Sequence, residues 1–442
     1  MNVLLFGSGG REHALAWKLR ESQLVEELYC APGNVGIAQV AECIPADLAD
    51  PRAMLEVAQQ VKAPLTLVGP ELPLVAGVVD EFERAGLTII GPPRASAQLE
   101  GSKAFAKRFM ERHRIPTARF EVAEDFEAAV HALDAFGPQV VIKADGLAAG
   151  KGVALAATHE EAVASLDAMM RQKTLGPAGE RVVMEERLAG EEISFIILTD
   201  GKSVAPLAPS QDHKAAFDGD LGPNTGGMGA YSDDSIISPR LQEQILRTIV
   251  GPTLSGLAAE ALPYHGFLYF GLMLTAEGPK VLEYNVRLGD PETQPTLMRM
   301  RTDLVELLQA LAEGRLGGLP VHWSPNPSVC VVLASKGYPG KPDTGKVITG
   351  FDVAESLGGV KVFHAGTVFD DGRLLTAGGR VLDVTATAEN LPAAIERVYA
   401  AAGKIHFEGM HYRRDIGAKG LRRLRPGGSA PSLGTNPRGA HL

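Results

Sequence analysis

The sequence predicts a multidomain protein of mixed α/β and α+β class, with an N-terminal doubly wound parallel sheet and a small C-terminal β-rich domain. At 442 residues the chain is too long for one ordinary hydrophobic core and suggests about three domains. Over the first hundred residues, strand-like apolar segments alternate with helical ones, which is typical of βαβ units. Short strands and glycine turns dominate the region 320–420.

Composition and charge indicate a folded protein and argue against nucleic-acid binding and membrane association. Hydrophobic residues make up 45% of the chain and charged residues 22%, which indicates a folded protein and excludes wholesale disorder. A net charge of −10 argues against a basic nucleic-acid binder, but leaves room for a local phosphate pocket. No apolar run reaches the roughly 18 residues that a membrane helix needs. We expect no nucleic-acid partner and no membrane association.

Cysteine usage indicates a reducing compartment. The three cysteines are Cys30, Cys43 and Cys330, and none lies in a CxxC motif. An odd number without that spacing argues against a disulfide framework or a zinc site. The apolar run at Met1–Gly7 is too short for a signal peptide and lacks its basic start. We therefore expect a cytoplasmic protein.

The first domain is expected to span residues 1–100. The predicted strands are Val3–Phe6, Leu28–Cys30, Leu65–Val68 and Leu87–Ile90, and the predicted helices lie near Glu12–Arg20, from Asp50-Pro51 onward, and through Val75–Arg84. Ligands of parallel sheets bind where the strands end at their carboxyl side. In this chain those ends are Gly7–Gly10, Pro32–Asn34 and Gly69–Glu71.

The first of these turns, Gly7-x-Gly9-x-x-Glu12, matches a dinucleotide-binding fingerprint only in part. The fingerprint needs a third small residue where Glu12 stands, and an acidic residue where the second strand ends in Pro32-Gly33-Asn34. Both departures argue against a nicotinamide dinucleotide. A glycine turn at a helix N-terminus, together with Arg11, can still bind an anion. A purely structural turn is an alternative of equal weight.

The second region is expected over 101–310 and contains a small α+β unit at 118–190. In that unit the apolar strand Val140–Lys143 ends in a lysine, and the glycine-rich loop Asp145–Gly152 follows it. A lysine there is costly unless an anion meets it, and glycines let a backbone close over phosphates. Lys143 alone could equally extend to solvent. The adjacent loop favours phosphate binding.

The segment Val281–Arg287 carries the sharpest signal. Strand alternation places Glu283, Asn285 and Arg287 on one face and apolar side chains on the other. A carboxylate and a carboxamide two residues apart offer oxygen ligands to Mg²⁺, and Arg287 can hold a phosphate or a carboxylate. An ordinary polar sheet face is the alternative, but this face has no Ser, Thr or Lys.

Two further segments are weaker signals. From Val182 to Glu192 an apolar strand leads into a linker and then into another strand. The linker backbone can read an adenine edge, and a carboxylate there can accept ribose hydroxyls. A solvated acidic hairpin is the commoner meaning of such paired glutamates. Asp212-His213-Lys214, with the loop Gly222–Gly229, can form a backbone nest for a carboxylate or an acyl phosphate. Alone, that loop is more simply a flexible surface loop.

The order of these motifs resembles the ATP-grasp ligases, and most closely the phosphoribosylamine–glycine ligase family of purine biosynthesis. The resemblance runs from Met1 to about Ala418. It depends on the stretches Gly7–Ala14, Pro32–Asn34, Gly69–Glu71, Lys143–Val153, Gln211–Lys214, Asn224–Gly229 and Glu283–Gln294. The chain after about Ala418 departs from that family. The stretch 421–442 is rich in Arg, Gly, Pro and Ser and is expected to be a disordered tail.

The resemblance implies a fold and a reaction. The fold would be an ATP-grasp core over 101–310, with 118–190 as a mobile lid, followed by the β-rich domain at 320–420. The reaction would join glycine to 5-phosphoribosylamine through glycyl phosphate. Its products would be N1-(5-phosphoribosyl)glycinamide, ADP and phosphate, with ATP and Mg²⁺ or Mn²⁺ bound. Positioning and charge neutralisation dominate such chemistry. Transient contact with the preceding enzyme of the pathway is also expected.

The resemblance also assigns roles to residues. Nucleotide contacts are expected from Lys103, Lys143, Gly146, Gly150, Lys151, Gly152, Glu185, Leu188 and Glu192, and metal ligation from Glu283 and Asn285. Substrate contacts are expected from Gly9, Gly10, Arg11, Gly33, Asn34, Gly69, Pro70, Glu71, Asp212, Gly226, Gly227 and Met228. Catalytic roles are expected for Arg287, Asp290 and Lys214. The first-domain turns would hold the phosphoribosyl part, and the loop 222–229 the carboxylate end.

Three alternative functions are considered. One is another ATP-grasp ligase, such as a purine-pathway carboxylase, which would require bicarbonate in place of glycine. Another is a nucleotide-binding oxidoreductase built on the first domain, against which Glu12 and the missing ribose acid count. The third is a non-catalytic ATP-binding subunit, against which the intact set of Lys143, Glu283 and Asn285 counts.

Overall fold

A computed structural model of the protein describes residues 1–148 and 152–424. The predicted nucleotide contacts Gly150 and Lys151, and the part of the predicted tail at 425–442, lie outside the described residues. Within the described ranges no helix is long and apolar enough to cross a bilayer.

The first ninety residues form a parallel α/β sheet. Its elements are β1 (Val3–Gly7), α1 (Gly10–Arg20), β2 (Leu28–Pro32), β3 (Glu42–Cys43), α2 (Pro51–Gln60), β4 (Leu65–Val68), α3 (Glu71–Ala76), α4 (Val78–Arg84) and β5 (Ile89–Ile90). The strand order is β3-β2-β1-β4-β5, and all neighbours are parallel, as predicted. The predicted single helix Val75–Arg84 is wrong: Gly77, with a left-handed φ of 93°, separates two helices.

The three strand-end turns of this sheet meet at one edge. Gly33 N–H donates to Gly7 O at 3.0 Å, and Gly69 N–H donates to Phe6 O at 2.9 Å. These bonds extend the β1–β2 and β1–β4 pairings into the turns. The sheet therefore presents its glycine turns as one connected surface.

A small antiparallel unit follows two helices. The elements are α5 (Arg94–Gly101), α6 (Lys103–Arg112), β6 (Phe120–Ala123), α7 (Phe126–Ala132), β7 (Val140–Ala144), β8 (Val153–Ala156), α8 (His159–Leu166) and β9 (Val182–Glu186). The strands lie in the order β6-β9-β7-β8. Ile142, Leu166 and Met184 belong to an apolar core that is separate from the cores of the other regions. We call residues 118–190 the lid unit.

The central and C-terminal regions share one nine-stranded sheet. The central elements are β10 (Glu191–Thr199), β11 (Val204–Pro206), β12 (Ser210–Asp212), β13 (Ala215–Phe217), β14 (Leu221–Asn224), β15 (Gly229–Ser232), α9 (Pro239–Ile245), α10 (Gly251–Ala259), β16 (Gly266–Thr275), β17 (Gly278–Asn285), α11 (Thr293–Arg299) and α12 (Leu304–Ala312). The later elements are β18 (Ser328–Ala334), α13 (Phe351–Glu355), β19 (Val360–His364), β20 (Thr367–Asp370), β21 (Arg373–Thr376), β22 (Arg380–Thr387), α14 (Leu391–Ala402) and α15 (Ala418–Arg423). The order is β17-β16-β10-β12-β15-β18-β22-β19, with β11 on β10. The pairing of β15 with β18 joins the two regions.

Helix α15 shows that the predicted start of the disordered tail, at residue 421, is wrong. Arg423 donates to Tyr231 Oη at 2.7 Å and to Gln211 Oε1 at 3.1 Å. It also pairs with Glu191. Because these partners lie on the central sheet, the first residues of the basic segment are held in the fold by buried charge.

Candidate active site

A cavity of about 1350 Å³ lies between the lid unit and the central sheet, next to the strand-end turns of the first domain. The predicted residues that line it are Arg11, Pro70, Glu71, Lys103, Lys143, Gly152, Glu185, Leu188, Glu192, Asp212, Lys214, Gly226, Glu283, Asn285, Arg287 and Asp290. The predicted residues that do not line it are Gly9, Gly10, Gly33, Asn34, Gly69, Gly146, Gly227 and Met228. The tertiary structure thus brings residues of the first domain, the lid unit and the central region to one cavity, which Tyr338 and Arg380 of the C-terminal region also line.

The lid side of the cavity carries two lysines that share one carboxylate. Lys143 Nζ lies 2.8 Å from Glu185 Oε1, and Lys107 Nζ lies 2.8 Å from Glu185 Oε2. Lys143 also donates to Leu282 O at 3.0 Å. Burial, partly offset by Glu185, lowers the pKa of Lys107 to about 8. Lys107 was not predicted; its only signal was a lysine on the apolar stripe of a helix.

The glycine-rich loop is anchored to helix α6 at its first residue. The Asp145 carboxylate accepts from Ser102 Oγ at 2.9 Å and from Ala104 N–H at 2.6 Å. These groups lie at the N-terminus of α6, where unpaired backbone donors favour an anion. The cap fixes the loop root beside the helix that carries Lys103.

The opposite side of the cavity has the reverse arrangement of charge. Lys214 lies between Glu192 and Glu283, at 3.1 Å from Glu283 Oε1. Lys214, acting against burial, lowers the pKa of Glu283 to about 2. Burial alone would lower the pKa of Lys214, but Glu192 and Glu283 raise it. Glu283 is therefore an ionised carboxylate at neutral pH.

Glu283 and Asn285 fit the ligand preferences of Mg²⁺. Both side chains line the cavity from strand β17, and both offer oxygen atoms. Within residues 1–148 and 152–424 there is no group of three or more His, Cys, Asp or Glu that could hold a metal ion by itself. A site with one carboxylate and one amide suits an ion that keeps waters or substrate phosphates as its other ligands.

Arg287 is held by two carboxylates from the N-terminal half of the chain. Its guanidinium donates to Glu71 Oε2 at 3.2 Å and to Glu100 Oε1 at 2.8 Å. Burial raises the pKa of Glu100 to about 7. Burial would also raise the pKa of Glu71, but Arg287 and Arg11 lower it to about 2. Glu100 was not predicted, because no motif surrounds it.

Asp290 is bound by a residue of the C-terminal region. Arg380 Nη2 donates to Asp290 Oδ2 at 2.8 Å, and Arg380 Nη1 donates to Gly226 O at 2.9 Å. Gly226 N–H in turn donates to Tyr338 Oη at 2.9 Å. Arg380 thus joins Asp290 to the 222–229 loop. Sequence reasoning missed Arg380, which stands on an ordinary strand.

The predicted anion site of the first domain already holds a carboxylate. Glu12 Oε2 accepts from Gly9 N–H at 2.7 Å, and Glu12 Oε1 accepts from Arg11 Nε at 2.5 Å. Arg11 Nη1 donates to Leu288 O at 3.1 Å. Asn34 is likewise engaged, since its amide donates to Ser8 O and to the carbonyl of His364. In the described structure, these donor groups of Gly9, Arg11 and Asn34 therefore hydrogen-bond the first turn to neighbouring segments of the protein.

Comparison with known proteins decides the family. The N, ATP-grasp (A) and C domains of phosphoribosylglycinamide synthetase match residues 1–100, 101–293 and 328–419. The chain belongs to the phosphoribosylglycinamide synthetase family. The predicted membership, the predicted fold class and the predicted enzyme class, an ATP-dependent ligase that uses Mg²⁺ or Mn²⁺, are thereby confirmed.

Relatives in this family match over nearly their whole length. A phosphoribosylamine–glycine ligase of Xylella fastidiosa (strain Temecula1) is 50% identical over 427 residues, which is 96% of this chain and 99% of the relative. One of Allochromatium vinosum is 52% identical over 428 residues, which is 96% of this chain and 100% of the relative. The crystal structure of the Thermotoga maritima phosphoribosylamine–glycine ligase has a TM-score of 0.82 at 37% identity, and covers 94% of this chain and 100% of that one.

A more distant structure shares the fold alone. The biotin carboxylase domain of the Hydrogenobacter thermophilus 2-oxoglutarate carboxylase, a complex with MgADP, has a TM-score of 0.71 at 18% identity, and covers 93% of this chain and 91% of that one. The family match removes the oxidoreductase alternative. The contacts of Glu12 explain why the first turn lacks the third glycine: its carboxylate, not a dinucleotide, meets the backbone N–H of Gly9.

Proposed function

We propose that this chain joins glycine to 5-phosphoribosylamine at the expense of ATP, giving N1-(5-phosphoribosyl)glycinamide, ADP and phosphate. The observation that carries the proposal is one cavity with lysines on its lid side and the pair Glu283 and Asn285 on its sheet side. The relatives at about 50% identity carry the same activity in their names.

The lid side binds the nucleotide in this proposal. Lys103 and Lys143 meet the phosphates, because ammonium groups on a partly apolar wall favour an anion. The Leu188 backbone reads the adenine edge beside Glu185, and Glu192, which reaches the cavity from strand β10 on the sheet side, accepts from the ribose. The lid unit closes over the nucleotide, which its separate apolar core supports, since a unit with its own core can move as a body.

The sheet side binds the metal and the reacting groups. Glu283 and Asn285 would hold Mg²⁺ or Mn²⁺, and the bound ion would neutralise charge on the phosphates. Arg287 neutralises the phosphoryl group during transfer. Lys214 holds Glu283 and Glu192 in place, and Asp290, held by Arg380, meets the glycine amine.

The reaction proceeds in two displacements. A carboxylate oxygen of glycine attacks the γ-phosphorus of ATP, and ADP leaves, so that glycyl phosphate forms. The amine of 5-phosphoribosylamine then attacks the acyl carbon, phosphate leaves, and the amine nitrogen loses a proton. The 222–229 loop, with Asp212, Gly226, Gly227 and Met228, holds the carboxylate end. Both steps depend on alignment of bound groups rather than on a protein nucleophile.

The strand-end turns of the first domain hold the phosphoribosyl part. This surface comprises Gly9, Gly10, Arg11, Gly33, Asn34, Gly69, Pro70 and Glu71. Arg11, Pro70 and Glu71 face the same cavity as Arg287, which supports delivery of the amine to the acyl group there. We also propose that the enzyme works in the cytoplasm and takes its unstable amine in transient contact with the enzyme that makes it.

An assay of ADP release tests the proposal. Sustained ADP release over many turnovers should require both glycine and 5-phosphoribosylamine with ATP and Mg²⁺. Bicarbonate in place of glycine should give no ADP. ADP formation that requires bicarbonate, or that ignores 5-phosphoribosylamine, would overturn the proposed reaction.

A further inference from the structure

Lys107 is a buried charge that the proposed mechanism does not use. Its side chain is 2% exposed, on helix α6. Its ammonium lies 2.8 Å from Glu185 Oε2 and donates to Thr117 Oγ1 at 2.7 Å. Burying an ion pair rarely adds stability compared with apolar side chains of the same volume. A lysine at this position therefore needs a reason other than packing.

The partner of Lys107 is already the partner of a predicted phosphate ligand. Glu185 is 2% exposed, and its other oxygen lies 2.8 Å from Lys143 Nζ. Without Lys107, the whole charge of Glu185 would act on Lys143. A phosphate would then compete with a buried carboxylate for that ammonium, at short range and with little solvent screening.

We infer that Lys107 is a positioning residue of the nucleotide site, which neutralises Glu185 so that Lys143 can bind phosphate. Each oxygen of Glu185 meets one ammonium, and one positive charge is left over for the ligand. The inference rests on the proposed function, since it takes the ligand of Lys143 to be a nucleotide phosphate.

Lys107 also connects the lid unit to the strand that carries the metal ligands. Thr117, which accepts from Lys107, donates through its hydroxyl to Val281 O at 2.6 Å. Val281 N–H donates to Pro116 O at 2.8 Å. Val281 lies on β17, two residues before Glu283. The Lys107 ammonium thus contacts both Glu185 of the lid unit and Thr117, the residue just before the lid unit, where the lid unit joins the central sheet.

Nucleotide affinity of Lys107→Met tests the inference. We expect the dissociation constant of MgADP, by titration calorimetry, and the KM for ATP to rise about tenfold, which is the scale of a lost charged hydrogen bond. The kcat of ADP release should stay within about twofold of the wild-type value, since Lys107 contacts Glu185 and Thr117 and none of the residues assigned to the reacting groups. Arg108→Met, at the next and exposed position of the same helix, should change neither constant.

Coupling to Glu185 separates positioning from a general structural effect. In a Glu185→Gln background there is no carboxylate to neutralise, so adding Lys107→Met should change MgADP affinity less than twofold. Lys107→Gln keeps a donor for Glu185 and Thr117 but removes the charge, and should weaken MgADP like Lys107→Met. It serves in place of Lys107→Met if the latter fails to fold, as judged by its thermal unfolding midpoint.

Wild-type affinity in a folded Lys107→Met or Lys107→Gln protein would overturn the inference, as would equal losses with and without the Glu185 carboxylate. The proposed function fails separately. A wild-type protein that binds MgADP but releases ADP without need for glycine would refute the proposed reaction and leave the Lys107 result standing. A wild-type protein that does not bind MgADP would overturn both.

Discussion

The two sides of the cavity are built from the same kinds of side chain in opposite proportion. On the lid side, Lys107 and Lys143 share Glu185, so these three groups have a formal charge of +1. On the sheet side, Glu192 and Glu283 share Lys214, and the formal charge is −1. Buried charges are costly unless paired. Each of these two groups of three therefore keeps one charge for a ligand and neutralises the other two.

This difference assigns a ligand to each side. A phosphate is attracted to the side with an ammonium in excess, and a divalent cation to the side with a carboxylate in excess. The magnesium–nucleotide complex presents both charges at once. Recognition here therefore depends on the net charge of each group of three side chains more than on any single member of the group.

Glu283→Ala should have the largest effect, because it removes the excess charge and a metal ligand from the sheet side. We expect ADP release to fall at least about a thousandfold. Lys214 keeps Glu192 as a partner, so the thermal unfolding midpoint should change little. Glu277→Ala, at an exposed position of the same hairpin, should leave activity within about twofold. Normal ADP release by Glu283→Ala would rule out the metal assignment.

Lys214→Met should raise the negative charge of the sheet side, because it removes the ammonium between Glu192 and Glu283. We expect turnover to fall about a hundredfold, because Glu283 and Glu192 lose the group that positions them. Mn²⁺ affinity, measured by electron paramagnetic resonance, should rise, since two carboxylates then face the ion without a competing ammonium. Lys404→Met, at an exposed position, is the control. Weaker Mn²⁺ binding in Lys214→Met would refute this account of the sheet side.

Lys143→Met should neutralise the lid side. The remaining pair of Lys107 and Glu185 has no excess charge, so the KM for ATP should rise about ten- to thirtyfold. Lys173→Met, which removes an exposed lysine of the same unit, should leave the KM unchanged. An unchanged KM in Lys143→Met would show that phosphates bind elsewhere.

The smallest effect concerns stability against acid. His213 stands next to Lys214, and burial, with Lys419 and Arg413, lowers its pKa to about 3. In the unfolded chain this histidine takes up a proton near pH 6.5, whereas in the folded protein it stays neutral. The contribution of His213 to the free energy of unfolding is therefore complete above pH 6.5 and is lost as the pH falls from 6.5 toward 3. At pH 5 the loss is about 2 kcal/mol. His213→Asn should therefore lose less free energy of unfolding between pH 7 and pH 5 than the wild type, in urea denaturation. Equal losses would contradict the assignment.

Contiguous motifs made much of the site predictable. Glu283 and Asn285 lie two residues apart on one strand, so strand alternation alone places them on one face. The first sheet was predictable for a similar reason, since alternating strands and helices imply parallel pairing. The break at Gly77 was not, because the local apolar pattern continues through it.

Residues without a motif were missed. Glu100 binds Arg287 from 187 positions away, and Arg380 binds Asp290 from 90 positions away. Lys107 stands on an ordinary amphipathic helix. In each case the chemistry lies in a contact between distant segments, and apart from the position of Lys107 on the apolar stripe of α6 the sequence carries no local sign of it.

The family, the alternation of strands and helices in the first domain, and the residue types suited to phosphate and metal could be inferred from the amino-acid sequence, because those features are local patterns or long matched stretches. The folded structure was needed to show that Lys107 and Lys143 share Glu185, and that Lys214 lies between Glu192 and Glu283. The physical reason is that electrostatic energy depends on distance and burial, and folding sets both.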